Sequence, residues 1–285
     1  MSAAPPILRR ETQRVLSNRG ERYCRSWLPP DPERVMVIVH GYAEHSGRYD
    51  EMAMHFARRG FAVHAYDQVG HGRTRGPRGH VDRFTRLPEE AVAFAEQVGE
   101  EHPGLPVTLV GHSMGGLVVA SAAAFLHPPV DRIVLSGALL RLGGAGLRQR
   151  LSLLAARLLS RVVPRFGVAA GLDDEAISRD PEVVRRYRAD PYVEDRMSVR
   201  FAAGMNGLVD RVIPAAGRVE RPVLVLHGEA DRLTDPTGSA AFHAGLASPV
   251  AAESALKLYP DLRHEIFNEP EREQVWQDVL DWLDA

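Results

Sequence analysis

Ser113 stands in the run VTLVGHSMGGLVVASAAA, between a β-branched stretch (Val107 to Val110) and a small-residue helical stretch from Gly116 to about Phe125. Gly111-His112-Ser113-Met114-Gly115 is therefore a G-x-S-x-G sequence with a strand before it and a helix after it. That context turns a common pentapeptide into a nucleophile elbow. The glycines let the chain reverse so sharply that the serine is held in a strained conformation with its Oγ exposed. The same turn aims the Met114 N–H, at the positive end of the new helix, at the place where an oxyanion would form.

A serine hydroxyl is a poor nucleophile until a histidine accepts its proton and an acid orients that histidine. In a strand–helix architecture these groups lie in loops beyond the C-terminal ends of strands, in the chain order serine, acid, histidine. After the apolar run Val223–His227 the sequence reads Gly228-Glu229-Ala230-Asp231-Arg232-Leu233-Thr234-Asp235-Pro236. Asp231 is the candidate acid. Its competitor, Asp235, precedes a proline and a helical segment, which N-capping alone explains. His264, in Pro260-Asp261-Leu262-Arg263-His264 before the last helix, is the candidate base. The second oxyanion donor is expected after Val35–His40, where Gly41 lets the chain turn the Tyr42 N–H toward Ser113. The other histidines have plainer readings: His112 as packing, His40 and His227 as supports at strand ends, His71 and His80 as turn hydrogen-bonders. His40, Asp67 and His71 show no ligand spacing, so no metal site is expected.

The elements that must position these groups alternate. Val35–His40, Phe61–Tyr66, Val107–Val110, Ile133–Ser136, Val223–His227 and Ala255–Tyr259 read as buried strands. Arg48–Arg59, Leu87–Glu101 and Glu271–Leu283 read as helices, and Thr12–Ser17 with Glu21–Trp27 as a hairpin around Asn18-Arg19-Gly20. This is an α/β pattern: a mostly parallel central sheet flanked by helices on both sides. Residues 138–217 break the rhythm, with helical segments separated by Gly144, Pro164, Pro181, Pro191 and Pro214 and no buried-strand pattern. A structureless linker of that length is improbable. Residues 138–217 are therefore expected to form a helical cap inserted into a core of 1–137 and 218–285. Within it, Leu147–Val163 places leucines on one face and Arg148, Arg150, Arg157 and Arg161 around the rest. Such a helix either packs on its own domain or makes transient contact with a membrane or micelle.

Composition sets the outer limits. The chain has 285 residues, a formal net charge of -2, one cysteine (Cys24) and no run of membrane-spanning length. The charge gives no reason to expect nucleic acid as a partner, and one cysteine excludes an intramolecular disulfide. Residues 1–20 are too polar for a signal peptide, so the cytoplasm is the expected compartment, with peripheral membrane contact under the second cap reading.

Read together, HGYAEHSGRYDEMA, YDQVGHGRTRGPRGHV, GHSMGG, AISRDPEVVRRYRADP, LHGEADRLTDP and YPDLRHEIFNEPEREQV resemble the monoacylglycerol lipase and lysophospholipase branch of the α/β-hydrolases, in order and over nearly the whole chain. The SRDPEVVRRYRADP segment is closest to bacterial members. The resemblance implies the α/β-hydrolase fold, Ser113, Asp231 and His264 as the catalytic triad, and the Tyr42 and Met114 amides as the oxyanion hole. It also implies Glu44 and Arg48 near the glycerol head of the substrate, against the alternative of a salt-bridged loop. Two departures concern that head: Phe267 replaces a second histidine, and Thr234 follows Leu233 where a cysteine is known. The implied activity is hydrolysis of a lipid monoester, a monoacylglycerol, to fatty acid and glycerol without a cofactor. A lysophospholipase or general carboxylesterase using the same triad is the near rival. A proline-specific peptidase and a non-catalytic small-molecule receptor are remoter ones.

Overall fold

The computed structural model describes residues 6–16, 20–142 and 159–285. Its strands are β1 (Leu8–Val15), β2 (Glu21–Leu28), β3 (Arg34–Val39), β4 (Phe61–Tyr66), β5 (Val107–His112), β6 (Arg132–Ser136), β7 (Gly167–Ala169), β8 (Arg196–Ser198), β9 (Val223–Gly228) and β10 (Ala255–Tyr259). Eight of them form one sheet in the order β1-β2-β4-β3-β5-β6-β9-β10. From β4 to β10 every neighbouring pair is parallel, whereas the β1–β2 hairpin joins the edge antiparallel.

Alternation along the central strands divides the core in two, because successive side chains point to opposite faces of a sheet. Val35, Val37 and Val39 of β3 pack with Leu87, Phe94 and Val98 of the Arg86–Glu101 helix and with Leu117 and Val118 of the Met114–Phe125 helix. Met36 and Ile38 face the other way, onto Met52 and Phe56 of the Asp50–Ala57 helix and Trp276 and Val279 of the Arg272–Asp284 helix. With both faces covered, every residue of β4, β5 and β9 is buried. That explains why these strands read as continuous apolar runs in the sequence.

The strands and flanking helices fall within a few residues of expectation. The helix expected over Arg48–Arg59 is divided into a 3₁₀ turn, Ser46–Tyr49, and an α-helix, Asp50–Ala57, before the turn at Gly60. Residues 17–19 of the expected hairpin turn lie outside the described residues, as does most of the expected amphipathic helix Leu147–Val163, of which residues 159–162 are helical.

The chain leaves the sheet after β6 and returns to it at β9. In between it forms the Pro181–Ala189 and Val199–Val212 helices. It also forms a two-stranded antiparallel ribbon, β7 with β8, where the sequence suggests helices alone. Three-residue strands are too short to leave an alternation signal. Among the described residues, no helix is long and apolar enough to cross a membrane.

Candidate active site

The turn from β5 into the Met114–Phe125 helix places Ser113 at φ +54°, a conformation that side-chain-bearing residues rarely adopt. Three glycines make the turn possible. A Cβ on Gly111 would strike the Gly115 carbonyl, one on Gly115 the Val39 carbonyl oxygen, and one on Gly116 Ala138. The helix therefore packs against β3 more closely than any side chain would allow. The Ser113 N–H donates to the Ser136 carbonyl at 3.0 Å, fixing the tip to β6.

Ser113 Oγ lies 2.8 Å from His264 Nε2, and His264 Nδ1 lies 2.7 Å from Asp231 Oδ2. The carboxylate can only accept, so Nδ1 carries the proton toward it and Nε2 is left to accept from the serine. Asp231 Oδ2 also receives the Thr234 hydroxyl at 2.7 Å and His227 Nε2–H at 3.1 Å. Its Oδ1 receives the Leu233 and Thr234 N–H groups at 2.7 and 3.0 Å. Burial alone would raise this carboxyl's pKa, but the charge of His264 and these donors hold it well below the usual carboxylate range. In turn Asp231 lifts His264 above 6.5 against the opposing effect of its own burial.

Asp235, the competing acid, caps the Pro236–Ala244 helix by accepting from Thr237 N at 2.9 Å. Its carboxylate makes no contact with His264.

Tyr42 and Met114 border the same cavity as Ser113 and His264. The Gly41 backbone lies against Ser113, where a Cβ would come within 3.0 Å of the serine Cβ. Among the described residues neither the Tyr42 nor the Met114 N–H is taken up by a protein acceptor. His40 sets the approach. The Gln68 N–H donates to its Nε2 at 2.9 Å, so its Nδ1–H donates to the Gly41 carbonyl at 2.7 Å. Burial drives His40 down to about 3, keeping it neutral in that tautomer.

The two residues expected at the head group diverge. Glu44 borders the cavity; Arg48 lies behind it and borders a separate polar cleft. Glu44 accepts the Gly41 N–H and the Tyr49 hydroxyl, the latter at 2.8 Å. Arg48 makes a two-pronged pair with Glu265 at 2.6 and 2.9 Å and approaches Glu44 at 3.4 Å. Burial pushes Glu44 up to about 7 against the pull of Arg48. The same guanidinium overcomes burial at Glu265 and lowers its pKa. Glu265 is a site residue that motif reading passes over, although it directly follows His264 in the sequence. His227 and Thr234 likewise prove to be direct partners of Asp231.

Three further histidines find their partners within the fold. His112 donates from Nδ1 to the Ser136 carbonyl at 3.0 Å, lies tilted against His264 with ring centroids 4.8 Å apart, and is held neutral by burial, at about 3. His71 and His80 bond the Val69 carbonyl and the Ser198 hydroxyl. Among the described residues no group of three or more His, Cys, Asp or Glu side chains is arranged to hold a metal ion.

The cavity over Ser113 measures about 150 Å³. Its lining includes the apolar side chains Leu139, Leu142, Leu172, Ile177, Met197 and Met205 and the carboxylates of Glu44 and Glu265. The cavity thus brings the hydrogen-bonded pair Ser113 and His264 together with apolar side chains and two carboxylates.

The sequence profile of the family described as serine aminopeptidase S33 matches residues 30–271. A monoacylglycerol lipase of Mycolicibacterium smegmatis is 38% identical over 260 residues, 90% of each chain. The phospholipase YtpA of Bacillus subtilis is 31% identical, over 88% of this chain and 95% of its own. The crystal structure of Paleococcus ferrophilus monoacylglycerol lipase superimposes with a TM-score of 0.82 at 33% identity, covering 92% of this chain and 98% of its own.

Proposed function

This chain belongs to the serine aminopeptidase S33 family and, within the α/β-hydrolases, to the monoacylglycerol lipase branch; from that membership we propose that it hydrolyses monoacylglycerols to free fatty acid and glycerol. It is a serine ester hydrolase. The observation that carries the reading is the continuous line from Asp231 through His264 to Ser113, at a cavity lined by apolar side chains and two carboxylates.

In this reading the acyl chain lies along Leu139, Met197 and Met205 and the glycerol lies toward Glu44. Ser113 Oγ attacks the ester carbonyl as its proton passes to His264 Nε2. The carbonyl oxygen, now an oxyanion, is held by the Tyr42 and Met114 N–H groups. Asp231 stabilises the imidazolium that forms. The proton then moves to the departing glycerol oxygen, leaving an acyl-serine. Water, deprotonated by the same His264, cleaves that ester and restores the enzyme. Glu44 fixes the loop by accepting from Gly41 and Tyr49 on one oxygen, while its other oxygen is approached by Arg48. Residues 138–217 act as the cap that encloses the acyl chain. Leu159, Val162, Val163 and Phe166, exposed on it, supply peripheral contact with membranes or micelles.

The likeness to a phospholipase favours one rival, a lysophospholipase with the same triad. Turnover of a monoacylglycerol and a lysophosphatidylcholine of equal chain length decides between them. The monoacylglycerol is expected to have the higher kcat/KM by at least tenfold, and a reversed preference would replace this reading with its rival.

A further inference from the structure

Two motifs take no part in the chemistry above, Ser178-Arg179-Asp180-Pro181 and Ile266-Phe267-Asn268-Glu269. They lie about ninety positions apart in sequence and interlock in the fold. The centre of the joint is Glu269, whose carboxylate is fully buried. Its Oε2 accepts from the backbone N–H and the Nε of Arg179, at 3.1 and 3.2 Å, and its Oε1 accepts from the Arg263 N–H at 2.8 Å. The Ser178 hydroxyl donates to the Asn268 carbonyl, and Arg179 also pairs with Glu271. The Arg263 guanidinium reaches back to the Glu175 and Ser178 carbonyls.

The consequence appears one residue beyond Arg263. The backbone N–H of His264 donates to the Ala176 carbonyl at 3.4 Å, and that of Glu265 to the Ile177 carbonyl at 2.7 Å. The loop that carries the base is thus bonded, residue by residue, to the 174–180 segment. Asp180 then caps the Pro181–Ala189 helix, whose Tyr187 lies 4.8 Å under the Arg48 guanidinium.

We infer that Glu269 is a positioning residue for the reaction: by gripping Arg179 and Arg263 it locks the 174–180 segment to the base loop and so keeps His264 in line between Asp231 and Ser113. The inference rests on the triad reading above. A buried carboxylate with three donors is a costly device for stability alone. Here its donors lie immediately beside the base, where a displacement on the order of 1 Å costs about 10²-fold in rate.

The test compares Glu269→Ala, Glu269→Gln and Arg179→Gln with Arg185→Ala, which breaks an exposed ion pair on the neighbouring helix. Each protein is assayed on a soluble short-chain ester, with active sites counted by a fluorophosphonate. We expect kcat per labelled site to fall about 100-fold in Glu269→Ala and about tenfold in Glu269→Gln and Arg179→Gln. Glu269→Gln keeps one acceptor oxygen for Arg179 but presents an amide to the Arg263 N–H. KM should change less than twofold, and Arg185→Ala should match the wild type. The acid limb of kcat should also move down, because a displaced His264 loses the influence of Asp231. A role confined to stability would lower Tm and the labelled fraction but leave kcat per site and its pH limb unchanged; that result overturns the inference. Wild-type protein that fails to label at Ser113 would instead overturn the triad reading beneath it.

Discussion

Two parts of the 138–217 stretch behave as opposites. Residues 174–190 are stitched to the loops around Ser113: Ala176 and Ile177 bond the backbone of His264 and Glu265, Tyr187 lies under Arg48, and Asp190 meets His45 at 2.8 Å. Their side chains Ile177, Val183, Val184 and Tyr187 also form a small core with Ala43. Residues 159–166 instead present Leu159, Val162, Val163 and Phe166 to solvent, with Val162 80% exposed. A single inserted segment thus contains a fixed support for the site and an outward apolar surface. Substitutions of the support's side chains that contact the site should alter the chemistry on every substrate, and substitutions on the surface only the encounter with aggregated ones.

The largest effect tests the line that the support holds straight. Asp231→Asn should lower kcat about 10⁴-fold on soluble and emulsified esters alike; a loss limited to emulsions would erase the distinction between the two parts. Next comes Tyr187→Leu, which removes the ring beneath Arg48. A cation–π contact of about 1–2 kcal/mol corresponds to a fall of five- to thirtyfold in kcat/KM on a soluble ester. Unchanged activity on that ester would detach the Pro181–Ala189 helix from the site.

A pH profile should then sharpen the role of the support. His264 must be neutral to accept the proton, and Asp231 lifts its pKa above 6.5, so kcat/KM should fall as pH drops through a limb above 6.5. Glu44, pushed to about 7, gains its proton over the same range and acts in the same direction. In Asp231→Asn the residual activity should show the limb displaced downward, and an unmoved limb would assign it to another group. The smallest effect lies on the outer surface. Val162→Ser combined with Phe166→Ser should leave turnover of a soluble ester unchanged and lower that of an emulsified one about three- to tenfold, measured side by side.

The sheet was legible because β3, β4, β5 and β9 are buried on both faces and show unbroken apolar runs. Ser113, Asp231 and His264 could be marked because each follows such a run in a loop rich in turn residues, and the structure links them through His264, which bonds Ser113 on one side and Asp231 on the other. The ribbon of β7 and β8 was not legible, since three residues carry no periodicity. Nor was the bond between Arg48 and Glu265, 217 positions apart, because spacing along the chain says nothing about which buried charges will meet. Arg48, expected either near the head group or in a salt-bridged loop, pairs with Glu265 and borders a separate cleft. Glu269 left no signal either, since its function depends on backbone groups of a segment far away in sequence.

The central claim is that Ser113 is the nucleophile of a lipid-ester hydrolase. Incubation with a fluorophosphonate followed by peptide mapping tests it most directly, with hydrolysis of a monoacylglycerol followed in the same samples. The account predicts one phosphonyl group per chain, carried on Ser113, with hydrolysis lost in proportion to labelling and both labelling and hydrolysis absent in Ser113→Ala. Labelling of a different residue, or a Ser113→Ala protein that still hydrolyses the ester at the wild-type rate, would contradict it.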